Sequence, residues 1–239
     1  MSEQPRTSRE IDPEGIDDAV AGSSSAGDPE RAASSAGSAA LGGRTRELVY
    51  YVAVSLDGCI ADPEGGFEAL LGGGDHDSVV FDEYADALPA HAHAALGIEP
   101  PRTRFDTVIM GWNTLTPALD AGIASPYPHL RQVVASRTHR EVDPAIELTA
   151  DPLAAVRALK QEDGLDIWLC GGGALAGTLL PEIDRLVLKR HPVVLGSGIR
   201  VFGDADCEPR RFALQRARAF SSGVVVEEYA AGAAQQASI

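Results

Sequence analysis

The chain has 239 residues, of which 44% are hydrophobic and 23% charged, and its formal net charge is −15 at pH 7. This length and apolar content allow one well-buried core, whereas so negative a charge opposes binding to nucleic acid or to an anionic membrane. The three cysteines are widely spaced and indicate neither a disulfide framework nor a zinc site. We therefore expect a cytoplasmic protein with no nucleic-acid, membrane or metal partner.

Two terminal stretches differ in composition from the rest of the chain. Residues 1–45 are rich in Ser, Ala, Gly and acidic side chains, so they bury too little apolar surface to offset the entropy lost on folding. We predict a disordered tail there and a shorter one at residues 231–239. The N-terminal stretch lacks the apolar core of a signal peptide, and no later stretch is long and apolar enough to span a bilayer. Residues 46–230 are predicted to form one folded domain.

The folded part begins with residues 47–55, a continuously apolar and β-prone run that predicts a central strand covered on both faces. Asp57 follows it directly. A carboxylate just past a buried strand either contacts a ligand or caps a turn. The glycine-rich residues 61–75 then predict a mobile loop that could cover a site.

Residues 81–96 predict a helix, or a pair of helices broken at Pro89, with Phe81 and Tyr84 facing inward. Three histidines lie in or near this segment: His76, His91 and His93. His91 and His93 are two residues apart and would point in different directions on a helix. We therefore interpret these histidines as solvated side chains and not as metal ligands.

The next predicted strands are residues 105–111, 131–135 and 145–149. The first runs into Trp112, Asn113 and Thr114, the last two of which could bind a phosphate through their polar side chains. The second ends in Ser136 and Arg137, a basic and hydroxyl-bearing strand end in an otherwise acidic chain. Residues 152–162 then form an amphipathic helix with a proline in its first turn.

A glycine turn follows, between a predicted strand at residues 167–170 and a predicted helix at residues 174–180. Gly171, Gly172 and Gly173 have no Cβ, so N–H groups of the first helical turn can face an anion. Their spacing fits neither a P-loop nor a Rossmann turn. The turn is either a phosphate cradle of another architecture or only a tight connection. Beyond it we predict a strand at residues 183–189 and a closing hairpin of residues 211–220 and 224–229.

Four strand ends, in this order, resemble the dihydrofolate reductase-like superfamily. They are residues 55–58 (Ser-Leu-Asp-Gly), 110–114 (Met-Gly-Trp-Asn-Thr), 136–138 (Ser-Arg-Thr) and 170–173 (Cys-Gly-Gly-Gly). Within that superfamily the chain most resembles the reductase domain of the bifunctional riboflavin-biosynthesis deaminase-reductase and its stand-alone relatives. Residues 192–198 (Pro-Val-Val-Leu-Gly-Ser-Gly) match that branch particularly well. The resemblance covers roughly residues 48–229.

The resemblance implies a three-layer α/β fold with a mainly parallel central sheet, a C-terminal antiparallel hairpin and NADPH bound across the strand ends. The nicotinamide end would face Ala53 and Val54, and the adenosine ribose phosphate would lie near Ser136 and Arg137. The residues implied on the pyrophosphate are Gly111, Thr114, Gly171, Gly172, Gly173, Ala174 and Leu175. Asp57 would border the acceptor and orient it or relay a proton, and the second role requires a pKa raised by burial.

Two positions depart from the family pattern. Trp112 stands where members usually carry arginine, which leaves Arg137 as the main candidate for contacting a 2′-phosphate. Cys170 stands where the riboflavin-pathway enzymes typically carry glutamate, which argues against the ribosylaminopyrimidine substrate. The resemblance also implies a homodimer.

The predicted function is an NADPH-dependent reductase that transfers hydride to a small heterocyclic acceptor, pteridine- or pyrimidine-like. The alternatives are a non-catalytic nucleotide-binding protein of the same fold, a 5-amino-6-ribosylaminopyrimidine reductase and a dihydrofolate reductase.

Overall fold

The computed structural model describes residues 45–139, 141–204 and 208–232. Apart from residues 45, 231 and 232, the two predicted tails lie outside these ranges. Ala231 belongs to the last strand and so is part of the fold. Within the described ranges, no helix is long and apolar enough to cross a membrane.

The described chain forms one large sheet and one two-stranded ribbon. The strands are β1 Leu48–Val54, β2 Cys59–Ala61, β3 Phe105–Gly111, β4 Arg131–Ala135, β5 Ile146–Thr149, β6 Asp166–Gly171, β7 Arg185–Arg190, β8 Ile199–Arg200, β9 Phe212–Ala219 and β10 Val225–Ala231. The helices are α1 Asp77–Glu83, α2 Ala90–Leu96, α3 Trp112–Asp120, α4 Pro152–Leu159 and α5 Gly173–Leu179. Single 3₁₀ turns cover Glu68–Leu70, Ala85–Ala87 and Leu180–Glu182.

The large sheet has eight strands in the order β5-β4-β3-β6-β1-β7-β10-β9. In this order, the first six strands, from β5 through β7, pair in parallel. The last two, β10 and β9, form an antiparallel C-terminal hairpin, and β10 also pairs antiparallel with β7. The predicted fold, a mainly parallel sheet closed by a hairpin, is therefore confirmed. Because β9 is one of the two edges of the sheet and most of its residues are exposed, it is an available surface for the homodimer, which stays a prediction.

Helices cover both faces of the sheet and create two apolar cores. Since β1 and β6 are central strands, alternate residues of each enter opposite cores, which explains their continuous apolar sequence. The first core includes Val49, Tyr51, Trp168 and Val187 of the strands, with Val79 of α1 and Leu115 of α3. The second includes Leu48, Tyr50, Ile167 and Leu169, with Val156 of α4 and Leu179 of α5.

The segment before β3 is a pair of short helices, the second of the two arrangements predicted, and two of its details were predicted wrongly. Tyr84 is fully buried, but Phe81 is 43% exposed. His76 and His93 are buried and not solvated. The Nδ1 atom of His76 lies 2.9 Å from the hydroxyl of Ser222, and Nε2 of His93 lies 2.9 Å from the carbonyl oxygen of Ala85. These histidines connect elements of the fold, and no group of His, Cys, Asp or Glu in the described ranges is arranged to hold a metal ion.

A two-stranded antiparallel ribbon, β2 with β8, was not predicted. It joins the segment after β1 to the segment after β7. Gly198 permits the close approach, because a Cβ there would overlap the carbonyl oxygen of Ala61. The start of the glycine-rich loop is also fixed, since Gly66 donates its N–H to the carboxylate of Asp62 at 2.7 Å.

Candidate active site

The glycine turns after β3 and β6 meet at the carboxyl edge of the sheet. A Cβ built on Gly111 would lie 3.8 Å from the carbonyl oxygen of Gly171 and from the nitrogen of Gly172. A Cβ on Gly172 would lie 3.5 Å from the hydroxyl of Thr114. The peptide bond between Gly171 and Gly172 is cis, and Gly171 has a φ of +134°, a conformation that side chains disfavour. Four of the predicted cofactor residues are therefore neighbours in space.

Four more of the predicted cofactor residues lie at the ends of the strands to either side of this pair. Ser136 and Arg137 follow β4, which flanks β3, and Ala53 and Val54 end β1, which flanks β6. The side chain of Arg137 is exposed. Across the sheet the order is thus Ser136 and Arg137, then Gly111, then Gly171, then Ala53.

The start of α5 offers less open surface than the sequence suggested. A Cβ on Gly173 would overlap the carbonyl oxygen of Arg200, so this glycine is needed for packing against the end of β8. Leu175 is buried in the second core, which leaves only its backbone to face a ligand. Ala174 is exposed. The structure brings these residues to the same edge but gives Gly173 a structural task of its own.

Asp57 is held in an anion-stabilising environment. The Ser55 hydroxyl donates to its Oδ1 at 2.6 Å, and the N–H of Leu195 donates to the same oxygen at 3.1 Å. The N–H of Gly196 donates to Oδ2 at 2.7 Å. These hydrogen bonds, that of Ser55 foremost, lower the pKa of Asp57 to about 2. The raised pKa that the proton-relay role requires is therefore not found, because Asp57 is surrounded by donors that favour its charged form.

Trp112 stacks on His139 in a nearly parallel arrangement, with ring centroids 3.6 Å apart. His139 lies in the turn after β4, where its N–H donates to the hydroxyl of Ser136 at 2.9 Å. At the position where the resemblance implies arginine, Trp112 thus forms an aromatic pair with His139. This pair fixes the turn containing Arg137 against the start of α3.

Cys170 belongs to a group of partly exposed residues on the α1 and α3 face of the sheet. Its side chain hydrogen-bonds to Tyr127, and burial raises the pKa of the Cys170 thiol to about 12. Lys189 lies on the same face, in β7 opposite Ala53 of β1. Although these residues end central strands, Ala53, Cys170 and Lys189 are each partly exposed. This end of the sheet face is therefore only partly covered.

Sequence reasoning missed two features of this edge. The first is the contact of residues 192–198, known only as a family motif, with Asp57. The second is Lys189, which was predicted only as the end of a strand. The second omission was avoidable, because a lysine that ends a run as apolar as Leu-Val-Leu is an unusual residue for a covered strand.

The mainly parallel eight-stranded sheet, its closing hairpin and the facing glycine turns at its carboxyl end agree with the dihydrofolate reductase-like class that the strand-end motifs resemble. Residues 46–226 match the model of the RibD C-terminal domain, and the chain belongs to that family. It is 31% identical over 199 residues to YyaP, an uncharacterized protein of Bacillus subtilis, covering 76% of this chain and 93% of YyaP. It is 30% identical to YwjB of the same organism, covering 69% of this chain and 87% of YwjB.

Solved structures support the same fold. A protein of Shewanella sp. PV-4 described as a putative riboflavin biosynthesis protein matches with a TM-score of 0.58 at 24% identity, covering 78% of this chain and 99% of its own. The bifunctional deaminase and 5-amino-6-(5-phosphoribosylamino)uracil reductase of Thermotoga maritima matches at 0.55 and 17%, covering 79% and 57%. Dihydrofolate reductase of Enterococcus faecalis, complexed with NADP(H), matches at 0.53 and 14%, covering 78% and 97%.

Proposed function

We propose that the protein is an NADPH-dependent reductase that transfers hydride to a small heterocyclic acceptor, pteridine- or pyrimidine-like. The observation that carries the proposal is the order of the site residues across four neighbouring strands. Ser136 and Arg137 suit the adenosine end, the facing glycines suit the pyrophosphate, and Ala53 suits the nicotinamide. A dinucleotide laid across the strand ends would meet these groups in the order of its own parts.

The residues at the centre of this edge fit a pyrophosphate. Gly111 and Gly172 add no side chain of their own to the space between the two turns, and no described residue hydrogen-bonds to the Thr114 hydroxyl beside them. The first N–H groups of a helix have no partner within the helix and can donate to phosphate oxygens. Arg137, exposed in the next turn, supplies the positive charge that an acidic chain needs locally to hold a phosphorylated ribose.

The hydride would come from reduced nicotinamide, and the chain would hold the acceptor beside it. Ala53, Cys170 and Lys189 end adjacent central strands and are partly exposed, so they provide a floor for a flat acceptor. Asp57 would act from the rim of this floor, by positioning the segment of Leu195 and Gly196. Its pKa of about 2 makes it a poor proton donor at neutral pH.

Nucleotide binding is the direct test. We expect NADPH to bind with a micromolar dissociation constant. Nicotinamide fluorescence and thermal stabilisation of the folded protein measure this binding. Gly172→Ala should weaken binding about tenfold or more, because its φ of −79° accepts a side chain but the new methyl enters the cradle. Gly232→Ala is the matched control, since its Cβ makes only an ordinary contact of 3.5 Å. Absence of binding by the unaltered protein would refute the function.

A non-catalytic nucleotide-binding protein is the second candidate. The stacked Trp112 and the neutral Cys170 thiol favour it, because they stand where the family resemblance implies charged side chains. A panel of pterins, pyrimidines, flavins and quinones separates the two functions. Oxidation of NADPH by any member supports the reductase, whereas binding without oxidation across the whole panel supports the alternative.

A further inference from the structure

The sequence contains only two lysines, Lys160 and Lys189, and the fold places them in different environments. Lys160 forms an ion pair just after α4, with its Nζ 2.6 Å from a carboxylate oxygen of Asp184. In contrast, Nζ of Lys189 makes neither an ion pair nor a hydrogen bond with any residue that the structure describes. A cation taken from water normally acquires a partner, so the difference requires an explanation.

Lys189 lies beside the site proposed for the acceptor. Its Cα is the register partner of Ala53, the residue assigned to the nicotinamide end, and its side chain is on the same face of the sheet. Its Nζ is 4.7 Å from the centroid of the Tyr51 ring. That distance allows a cation–π contact, which leaves the N–H bonds of the ammonium group free to meet a ligand.

The groups that face Lys189 are mostly uncharged at neutral pH. On β6 the thiol of Cys170 has a pKa raised to about 12, and the hydroxyl of Tyr127, before β4, has a pKa raised well above its ordinary value. On the chain after β7, burial and the charge of Lys189 lower the pKa of His191 to about 4. Val226 of β10, the other register partner of Lys189, is apolar.

Asp77, at the start of α1, is the negative group that acts on Lys189 in this set. Its carboxylate already accepts the N–H of Gly74 at 3.0 Å and lies 3.7 Å from Nε2 of His76. Burial lowers the pKa of Lys189, and Asp77 and Cys170 oppose that shift. The ammonium group is therefore held in a region that makes proton release easier than in water.

We propose that Lys189 is the catalytic proton donor to the acceptor, an inference that rests on the reductase function proposed above. The acceptor class is a flat heterocycle with a C=N or C=O bond. Its carbon takes up the hydride, the electron pair of the double bond moves to nitrogen or oxygen, and an N–H bond of Lys189 breaks as the proton joins that atom. The nicotinamide is oxidised, the acceptor is reduced, and the neutral amine regains a proton from water.

The test measures both lysines in the full chain without any acceptor. Protein labelled with ¹³C and ¹⁵N at lysine gives two side-chain signals, and Lys160→Met assigns one of them. The pKa of each lysine is measured by NMR in the free protein, with NADPH and with NADP⁺. Because oxidised nicotinamide carries a positive charge, we expect the pKa of Lys189 to be lower with NADP⁺ than with NADPH, by about one pH unit or more. The pKa of Lys160 should not differ between the two complexes.

The outcomes separate this inference from the function on which it rests. Binding of both nucleotides with equal Lys189 pKa values in the two complexes would leave the dinucleotide site standing and overturn the role of Lys189. Failure of both nucleotides to bind would overturn the reductase function and this inference with it. A lower Lys189 pKa in the NADP⁺ complex, with Lys160 unchanged, supports the proposal.

Discussion

Gly196 donates its backbone N–H to the carboxylate of Asp57 at 2.7 Å, although the two residues are 139 positions apart in the chain. The contact connects the end of β1 to the segment that follows β7. The Ser55 hydroxyl, which also donates to Asp57, accepts the N–H of Cys59 at 2.9 Å. This hydrogen bond connects the start of β2 to the same network. Asp57 thus links three segments at the rim of the proposed acceptor site through hydrogen bonds.

Asp57→Asn should loosen this rim while leaving NADPH affinity near normal. The new amide can accept at one oxygen only, so its NH₂ group would face one of the N–H donors of Leu195 and Gly196. We expect faster hydrogen exchange at those two amides and a fall in turnover with any acceptor that the unaltered protein reduces. Asp62→Asn is the control, because that carboxylate holds only the local turn at Gly66. Unchanged exchange and unchanged turnover would contradict the role assigned to Asp57.

Acid should destabilise the fold between about pH 4 and pH 2. Asp57 and Asp75 both have a pKa lowered from 3.8 to about 2, Asp75 because it accepts the N–H groups of Ser221 and Ser222. A lowered folded-state pKa stabilises the protein above pH 3.8, and this stabilisation is lost as the pH falls towards 2.

Urea midpoints measured at about pH 7, 4, 3 and 2 would check this sign. Asp75→Asn should lower the midpoint at neutral pH and make it less dependent on pH in the acid range. A mutant curve parallel to that of the unaltered protein would show that Asp75 does not contribute to the acid response.

Arg137→Ala should weaken NADPH binding about tenfold and change NADH binding by less than about twofold. The guanidinium group is expected to contact the 2′-phosphate, which NADH lacks, and a charge-assisted hydrogen bond of this kind contributes about 1.5–3 kcal/mol. Fluorescence titration with each nucleotide makes NADH the internal control. Equal weakening of both would show that Arg137 contacts a shared part of the nucleotides or supports the turn.

Arg46→Met should lower the free energy of unfolding by about 3 kcal/mol, because it removes a buried guanidinium that several groups depend on. Arg46 pairs with Asp106, donates to the hydroxyl of Thr107 at 2.7 Å and donates to the carbonyl oxygen of Leu165 at 2.6 Å. Urea unfolding measures the loss. Arg157→Met, which removes an exposed guanidinium from its pair with Glu182, should cost at most about 1 kcal/mol. Equal losses in the two variants would contradict the role assigned to Arg46.

The strands and the glycine turns were predictable because their signals are local. Residues 105–111 carry the apolar, β-prone sequence Val-Ile-Met at positions 108–110, which is typical of a covered strand, and the structure gives that strand the same bounds. The chain from Ile167 to Leu179 likewise contains its own strand, turn and helix signals.

Residue environments were less predictable than elements. His76 and His93 were expected in solvent, but the partners that bury them, Ser222 and Ala85, belong to other elements. The low pKa of Asp57 has its largest cause in Ser55, two residues before it, but it also depends on N–H groups 138 and 139 residues away, and no local pattern encodes such a distance. The two-stranded ribbon was not predicted because β2 and β8 are too short to carry a periodic signal.

The amino-acid order alone established a mainly parallel α/β sheet, its closing hairpin and the strand ends that carry glycine, hydroxyl and basic side chains. Tertiary structure decided which of these groups meet and that Asp57 is a hydrogen-bonded carboxylate with a lowered pKa. It also decided that Lys189 has no ion-pair partner among the described residues. The physical reason is that propensity and hydrophobic period act over a few residues. A pKa depends instead on every charge and donor that folding brings within a few ångströms.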